Sequence, residues 1–399
     1  IKKSNLLSDL VQEKKAPAVV KSVSNSRQLN IGIIGYGGRG GHLVRGAGFS
    51  TTAWTDKASE NARKNKLDKQ FETFMTQEDL NCSLVGVSDL FDVRADQGIN
   101  ASKNETRPGG KPLVTAKKYR RYQDMLANDE IDAVIIATPD HWHAKIVIDA
   151  AKAGKHVYVE KGLTRTFNEA VDIYDVVKET GITFQLGHQN RQVEANEKAK
   201  QIYRQGLLGP VNLVEIATNR NSPWGAWVWN IHPKGNAKTI DWETFQEPSP
   251  NKIPFGEEAL KRFFRWRCWF DYGTGLSGDL LSHDFDAINQ IMDIGIPKYA
   301  SSTGGVYFYK DGRDVPDTWN ATFEYPDHKD GGLTLLYSAT LSSANPRGNR
   351  IMGHDATMQM GGQSGGGSIH GFAVTADEYS TQYKAVSYTH LTLPTNREV

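Results

Sequence analysis

Between Leu29 and about residue 190, short apolar runs alternate with longer stretches in which apolar positions recur every three or four residues. The runs fall near Leu29–Ile34, Leu84–Ser88, Ala133–Thr138, His156–Glu160 and Thr183–Leu186, and read as buried strands. Stretches such as His143–Ala153 and Phe167–Thr180 read as amphipathic helices between them. Strand and helix in alternation predict a parallel sheet covered on both faces, and right-handed crossovers leave a Rossmann sheet as the economical topology. After Asn190 the pattern changes. A helix, Glu194–Gln205, leads to a strand, Val211–Ala217, an aromatic loop region and a helix, Leu280–Met292. Strands near Ala300–Tyr309, Thr318–Tyr325 and Leu333–Ser342 then follow one another without helices, which predicts a mostly antiparallel sheet.

The fold class expected is therefore α/β plus α+β. It comprises an N-terminal Rossmann domain with a parallel sheet over 29–190 and a C-terminal domain with a mostly antiparallel open sheet over 191–385. Residues 1–28 read as a polar arm rich in Lys and Ser. The stretch 386–399 resembles translated sequencing-adapter DNA and is left out of the fold, with the natural chain expected to continue past Ala385. Residue 1 is Ile, which leaves room for a start and a signal peptide upstream. Gly361–Gly367 reads as a flexible loop, since no helical pattern follows it.

Composition narrows the function classes. A chain of 399 residues is long enough to bury more than one core. With 47 basic and 46 acidic residues it has no electrostatic footprint for nucleic acid or an anionic membrane. Two cysteines, Cys82 and Cys268, provide no disulfide framework and no zinc pattern. No apolar run reaches the roughly 20 residues of a spanning helix, so the expectation is a soluble protein, cytoplasmic or periplasmic.

The first strand ends in a glycine-rich turn, Gly35-Tyr36-Gly37-Gly38-Arg39-Gly40, followed by the apolar-periodic stretch His42–Ala47. Strand, G-x-G-x-x-G and helix in succession are what a dinucleotide pyrophosphate needs: a tight turn, close backbone approach and a helix N-terminus with free N–H groups. The second strand ends in Asp89, a carboxylate able to accept both ribose hydroxyls of NAD and to repel a 2′-phosphate; its other reading is a turn cap. Asp89 lies 49 residues past Gly40, rather than about 20, because Ser50–Cys82 intervenes with a charged helical piece, Asp56–Phe74.

Ligands of doubly wound sheets bind beyond the carboxyl ends of the strands. One such end carries Thr138-Pro139-Asp140-His141-Trp142-His143, another Glu160-Lys161-Gly162. His141 or His143 could hydrogen-bond cofactor or substrate, and the His-x-His pair also suits a metal, for which no third ligand is identifiable. Lys161 reads either as a donor to cofactor ribose and substrate hydroxyl or as a surface partner of Glu160. In the second domain Asp279 and His283 are four apart and share one helix face, as a carboxylate tuning an imidazole base or as a first-turn acid beside a core histidine.

The fingerprint, the Thr-Pro-Asp-His-x-His strand end, the Glu-Lys-Gly turn and the Asp-x-x-x-His helix, in this order, resemble the Gfo/Idh/MocA oxidoreductases, from Leu29 to about Ala373. That family usually has Glu-Lys-Pro where this chain has Glu160-Lys161-Gly162, which leaves the peptide less fixed. The resemblance implies Lys161, Asp279 and His283 as the catalytic trio. It implies cofactor contacts at Gly35, Gly37, Gly40, Asp89, Thr138, Pro139, His143 and Glu160, with Tyr36, Gly38, Arg39 and His141 in the same two turns and Lys161 shared between the roles. NAD is the expected cofactor, ahead of NADP, and no metal is expected.

The implied chemistry is hydride transfer between nicotinamide and a secondary alcohol of a sugar, cyclitol or sugar derivative, with His283 taking the hydroxyl proton, Lys161 holding the oxygen and Asp279 orienting the imidazole. Seven of nine tryptophans lie after Asn190, among them Trp224, Trp227, Trp229, Trp266 and Trp269, beside Arg265 and Arg267. Aromatic faces with guanidinium donors suit a sugar, while core or interface packing is their commoner fate. Trp142, His188, Arg191 and Arg267 are the substrate-facing candidates. A redox-neutral glycosidase or lyase of the same superfamily could use identical parts, and a non-enzymatic NAD and sugar sensor is the other rival. A homo-oligomer is expected, with no nucleic-acid or membrane partner.

Overall fold

The computed structural model describes residues 27–105, 114–361 and 371–380. The arm up to residue 26, the glycines beyond Gly361 as far as residue 370, and the adapter-like end lie outside them. The chain forms two compact units.

The first unit comprises the described residues up to Gly187 together with Trp229–Thr274. Its sheet is built from β1 (Leu29–Ile34), β2 (Cys82–Ser88), β3 (Lys117–Tyr119), β4 (Ala133–Ile136), β5 (His156–Glu160) and β6 (Phe184–Gly187). All pairs are parallel, in the order β3-β2-β1-β4-β5-β6, the doubly wound arrangement with its switch point between β1 and β4. Side chains alternate across the sheet. Ile31 and Ile33 pack with Val44 and Ala95 on one face, and Ile34 and Ile136 pack with Trp142, Val147 and Ile173 on the other. Each such branched side chain withdrawn from water contributes about 1.5–3 kcal/mol.

Local chemistry fixes the helix ends. Phe167–Thr180 carries a full capping box from Thr166 and Glu169, and ends on Gly181 at φ +66°. The helix after β4 starts at Asp140, three residues before the sequence pattern suggests, because Pro139 serves as its N-cap instead of merely ending the strand. The insertion after β1 forms two helices, Thr52–Lys64 and Gln70–Thr76, where one charged helix was expected.

The segment 229–274, expected in the second domain, packs with the parallel sheet. Phe91 bridges to Ile240, and backbone bonds run from Asp92 to Thr239 and from Asp241 to Leu90. Trp242, Phe245, Phe263 and Tyr272 form an aromatic cluster that reaches His141. Two short helices in it, Trp242–Gln246 and Glu257–Phe264, have too few turns to give a periodic signal.

The second unit holds His188–Val228 and the described residues from Gly275 onward. Its sheet comprises β7 (Val211–Asn219), β8 (Tyr299–Gly305), β9 (Thr318–Tyr325), β10 (Leu333–Thr340), β11 (Asn349–Gly353), β12 (Ala356–Met360) and β13 (Phe372–Ala376), in the order β13-β12-β11-β7-β10-β9-β8. Every pair is antiparallel except β7 with β10. In β10, Leu333, Leu335, Tyr337 and Ala339 are buried while Thr334, Leu336, Ser338 and Thr340 between them are half-buried, so one face is covered and the other open. β8 is an exposed edge.

Candidate active site

In the first unit the turn after β1 is fixed by its glycines. Gly35 has φ +88°, and a Cβ there would lie 2.7 Å from the Ala137 carbonyl oxygen. A Cβ on Gly40 would lie 2.0 Å from the Gly35 carbonyl oxygen. Both positions admit only hydrogen. Gly38 differs: nothing lies within 4 Å of where its Cβ would stand, so its glycine leaves open space above the turn. The helix Gly38–Gly46 starts there with Gly37 as N-cap and no side-chain cap, which leaves its first N–H groups for an anion.

Asp89 closes the turn from below. Its Oδ2 accepts the Tyr36 N–H at 2.7 Å and its Oδ1 accepts the Phe91 N–H at 2.8 Å. Both readings made from the sequence are therefore compatible in one residue: it caps the turn, and each oxygen keeps a second lone pair for a ribose hydroxyl. Burial raises its pKa, against the Arg94 guanidinium and the two backbone donors, which lower it. Burial also pushes the Tyr36 hydroxyl up to about 12, against Arg45. Thr138, at the end of β4, has a buried hydroxyl with no hydrogen-bond partner among the described residues. An open glycine cradle, a free helix N-terminus, a carboxylate below and an orphaned hydroxyl beside them fit a dinucleotide.

The other residues at these strand ends hold one another. Arg39 Nε meets Glu160 Oε1 at 2.7 Å, and its Nη1 lies 2.7 Å from His42 Nδ1. His143, 1% exposed, spans the two turns: Nε2 lies 2.8 Å from the Thr138 carbonyl oxygen and Nδ1 2.9 Å from that of Gly162. Both nitrogens are thus turned to backbone carbonyls of the two turns. His141 and Trp142 are core. Trp142 is 3% exposed and its only polar atom, the indole N–H, donates to the Phe245 carbonyl at 3.0 Å. His141 Nε2 meets the same carbonyl at 2.7 Å, and burial holds its pKa down at about 3. The ligand roles expected of His141 and Trp142 are not supported by this geometry, because the aromatic segment 229–274 covers them, a packing that sequence periodicity does not reveal. The two histidines face different carbonyls, and among the described residues no group of three or more His, Cys, Asp or Glu is placed to hold a metal ion.

Lys161 is half-buried in the turn that follows β5. Gly162 beside it has φ +74°, which proline cannot adopt, and none of the described peptide bonds is cis. Arg267 lies over the Trp266 ring at 4.1 Å, while Trp269 and Trp242 are buried.

In the second unit Asp279 and His283 are both buried at the start of one helical run. Ser277–Leu281 is a π-turn, continued by the α-helix Ser282–Met292. The wider turn departs from the regular helix that a spacing of four suggests, and such turns are frequent at functional sites. Asp284, next to His283, fastens the helix to the sheet: Oδ2 accepts the Thr218 hydroxyl at 2.9 Å and Oδ1 accepts Asn349 Nδ2 at 3.3 Å. Burial pushes the Asp284 carboxyl up to about 6, against Thr218, Asn349 and Arg220. His188 stands edge-on to His283 with ring centroids 6.1 Å apart. Asp286, which the sequence reading passed over, receives Arg191 Nε at 2.9 and 3.0 Å and has its Oδ2 3.7 Å from His188 Nδ1. Its place one turn after His283 was the available signal. Trp227, also in this unit, is buried.

Comparison with known proteins agrees with this geometry. Residues 29–188 match the oxidoreductase family with the NAD-binding Rossmann fold, Gfo/Idh/MocA. A levoglucosan dehydrogenase of Pseudarthrobacter phenanthrenivorans is 27% identical over 215 residues, 49% of this chain and 46% of its own length. An alpha-N-acetylgalactosaminidase of Shewanella oneidensis is 29% identical over 210 residues, 50% of this chain and 44% of its own. Each alignment spans less than half of the curated relative. The fold is similar to that of the WlbA dehydrogenase from Bordetella pertussis, solved with NADH and UDP-GlcNAcA, at TM-score 0.57 and 18% identity over 87% of this chain and 80% of that one. Among the described residues no helix is long and apolar enough to cross a membrane. Over residues 29–188 the chain carries the NAD-binding domain of the Gfo/Idh/MocA oxidoreductase family.

Proposed function

We propose that the protein is an NAD-dependent oxidoreductase acting on a secondary alcohol of a sugar, cyclitol or sugar derivative. The observation that carries this reading is the pairing, in one chain, of an NAD-binding turn with a helical run that buries Asp279 in its π-turn and His283 in the α-helix that continues it. The names of the relatives, a levoglucosan dehydrogenase and a dehydrogenase solved with a nucleotide sugar, support the substrate class.

The glycine turn from Gly35 through Tyr36, Gly37, Gly38 and Arg39 to Gly40 would hold the pyrophosphate on its N–H groups, and Asp89 the adenosine ribose. The Thr138 hydroxyl and Pro139 would border the nicotinamide half, with Glu160 and His143 keeping the two strand ends in shape. When bound, NAD supplies a nicotinamide ring that takes two electrons and a hydrogen from the substrate carbon. The protein's own work is the proton. His283 Nε2 or Nδ1 accepts the hydroxyl proton as general base and Asp279 orients the imidazole, while Lys161 is the proposed donor to a substrate oxygen. His188, Arg191 and Arg267 are the groups proposed to meet the other substrate hydroxyls. A homo-oligomer belongs to the same proposal, its contact being the open sheet face with Leu213, Leu336 and Met352.

The test is NADH formation, followed by absorbance, with NAD and a panel of sugars, cyclitols and sugar acids. Formation on one class names the substrate and supports the reading. No NADH from any panel member, with hydrolysis of aryl glycosides in its place, would replace it by the redox-neutral glycosidase that the Shewanella relative's name suggests.

A further inference from the structure

The turn that carries Lys161 is held by a buried carboxylate from a different strand end. Asp140, the first residue of its helix, is 3% exposed. Its Oδ2 accepts the Thr274 backbone N–H at 3.0 Å and the Thr274 hydroxyl at 2.5 Å. Its Oδ1 lies against Gly162, the residue after Lys161, so close that a Cβ on Gly162 would stand 2.7 Å from it. One side chain therefore fills the inside of the lysine turn and grips Thr274.

A buried carboxylate is costly unless donors and dipoles compensate it. Here the two Thr274 donors and the first turn of the helix Asp140–Lys152 supply compensation. An apolar side chain of the same size would fill the space without that cost, but would leave Thr274 untied. We propose that Asp140 is a positioning residue that sets the turn carrying Lys161 and ties it to Thr274. The inference rests on the proposed role of Lys161. It also accounts for glycine at 162: the space that a side chain there would need belongs to the carboxylate.

Four full-length variants test it: Asp140→Ala, Asp140→Asn, Thr274→Val and Thr274→Ser, each assayed on the best substrate of the panel. Misplacement of a reacting group by about 1 Å costs roughly a hundredfold in rate. Asp140→Ala is expected to lower kcat about thirtyfold or more, Asp140→Asn less because it keeps an acceptor oxygen, and Thr274→Val about fivefold. Thr274→Ser, which keeps the hydroxyl, retains most of kcat, and KM and NADH affinity stay within about twofold throughout. Unchanged kcat in Asp140→Ala, or equal losses in Thr274→Ser and Thr274→Val, would overturn the proposal.

If the parent forms no NADH on any substrate, the functional reading fails separately. The positioning claim is then read from the rate of Lys161 acetylation by acetic anhydride at one fixed pH, quantified by mass spectrometry. A rate different from the parent by about threefold or more is expected in Asp140→Ala, with Thr274→Ser close to the parent, and a parent-like rate in Asp140→Ala would overturn it.

Discussion

Gly162 and Asp140 share one space: the carboxylate of Asp140 stands 2.7 Å from the point where any other residue at 162 would place its Cβ. The backbone there also turns through φ +74°. Gly162→Ala therefore meets both a clash and left-handed strain, and is expected to lose about 1–3 kcal/mol. Gly162→Pro, although it recreates the sequence usual in the family, is expected to lose about 3 kcal/mol or more, because proline fixes φ near −65°. Thermal melts of the two variants check this, and a Gly162→Pro protein as stable as the parent would contradict the turn described.

Gly38 and Gly40 separate binding from folding. Around Gly38 the space is open, so Gly38→Ala is expected to leave the melting temperature within about a degree while weakening NADH binding about tenfold or more, by standing where the pyrophosphate approaches. Gly40→Ala drives a carbon into the Gly35 carbonyl and loses stability as well. NADH titration by fluorescence beside a melt of each variant tells the two apart.

Asp284 makes stability fall as the solution becomes less acidic. Its carboxyl is pushed up to about 6 from an ordinary value near 4, so between those values the folded state binds more protons than the unfolded. The protonated side chain is favoured below that window, and the cost of the buried charge grows as pH rises through it, reaching roughly 2–3 kcal/mol above it. Asp284→Asn is expected to be more stable than the parent at pH 8 and to lose that advantage near pH 4. Urea titrations at the two pH values measure it.

His141 acts in the opposite direction. Its imidazole is held neutral by burial down to about pH 3, so stability of its unit is lost as pH falls below about 6.5, where the unfolded chain takes the proton. His141→Gln, which keeps a donor for the Phe245 carbonyl, is expected to flatten that acid limb in melts between pH 7 and pH 4.

Much of this was legible in the residues. The strands Leu29–Ile34, His156–Glu160 and Thr318–Tyr325 and the helix Phe167–Thr180 carry their own punctuation: apolar runs, a capping box and a C-terminal glycine. What stayed hidden depends on tertiary contact. Strands β11 to β13 are short pieces whose alternation is weak until β7 pairs with β11. The burial of His141 and Trp142 comes from a segment more than a hundred residues away, and a histidine beside a strand end reads as a ligand until that cover is seen. Asp140 escaped for the same reason, because its partners Thr274 and Gly162 have no periodic relation to it in sequence.

The central claim is that His283 and Lys161 carry the proton chemistry. Its most direct test is to measure NAD affinity and turnover together in the parent, Lys161→Ala and His283→Ala. NAD affinity within about threefold of the parent in His283→Ala, with kcat falling about a hundredfold or more in both variants, is the expected result. Turnover in His283→Ala close to that of the parent, at equal NAD affinity, would contradict it.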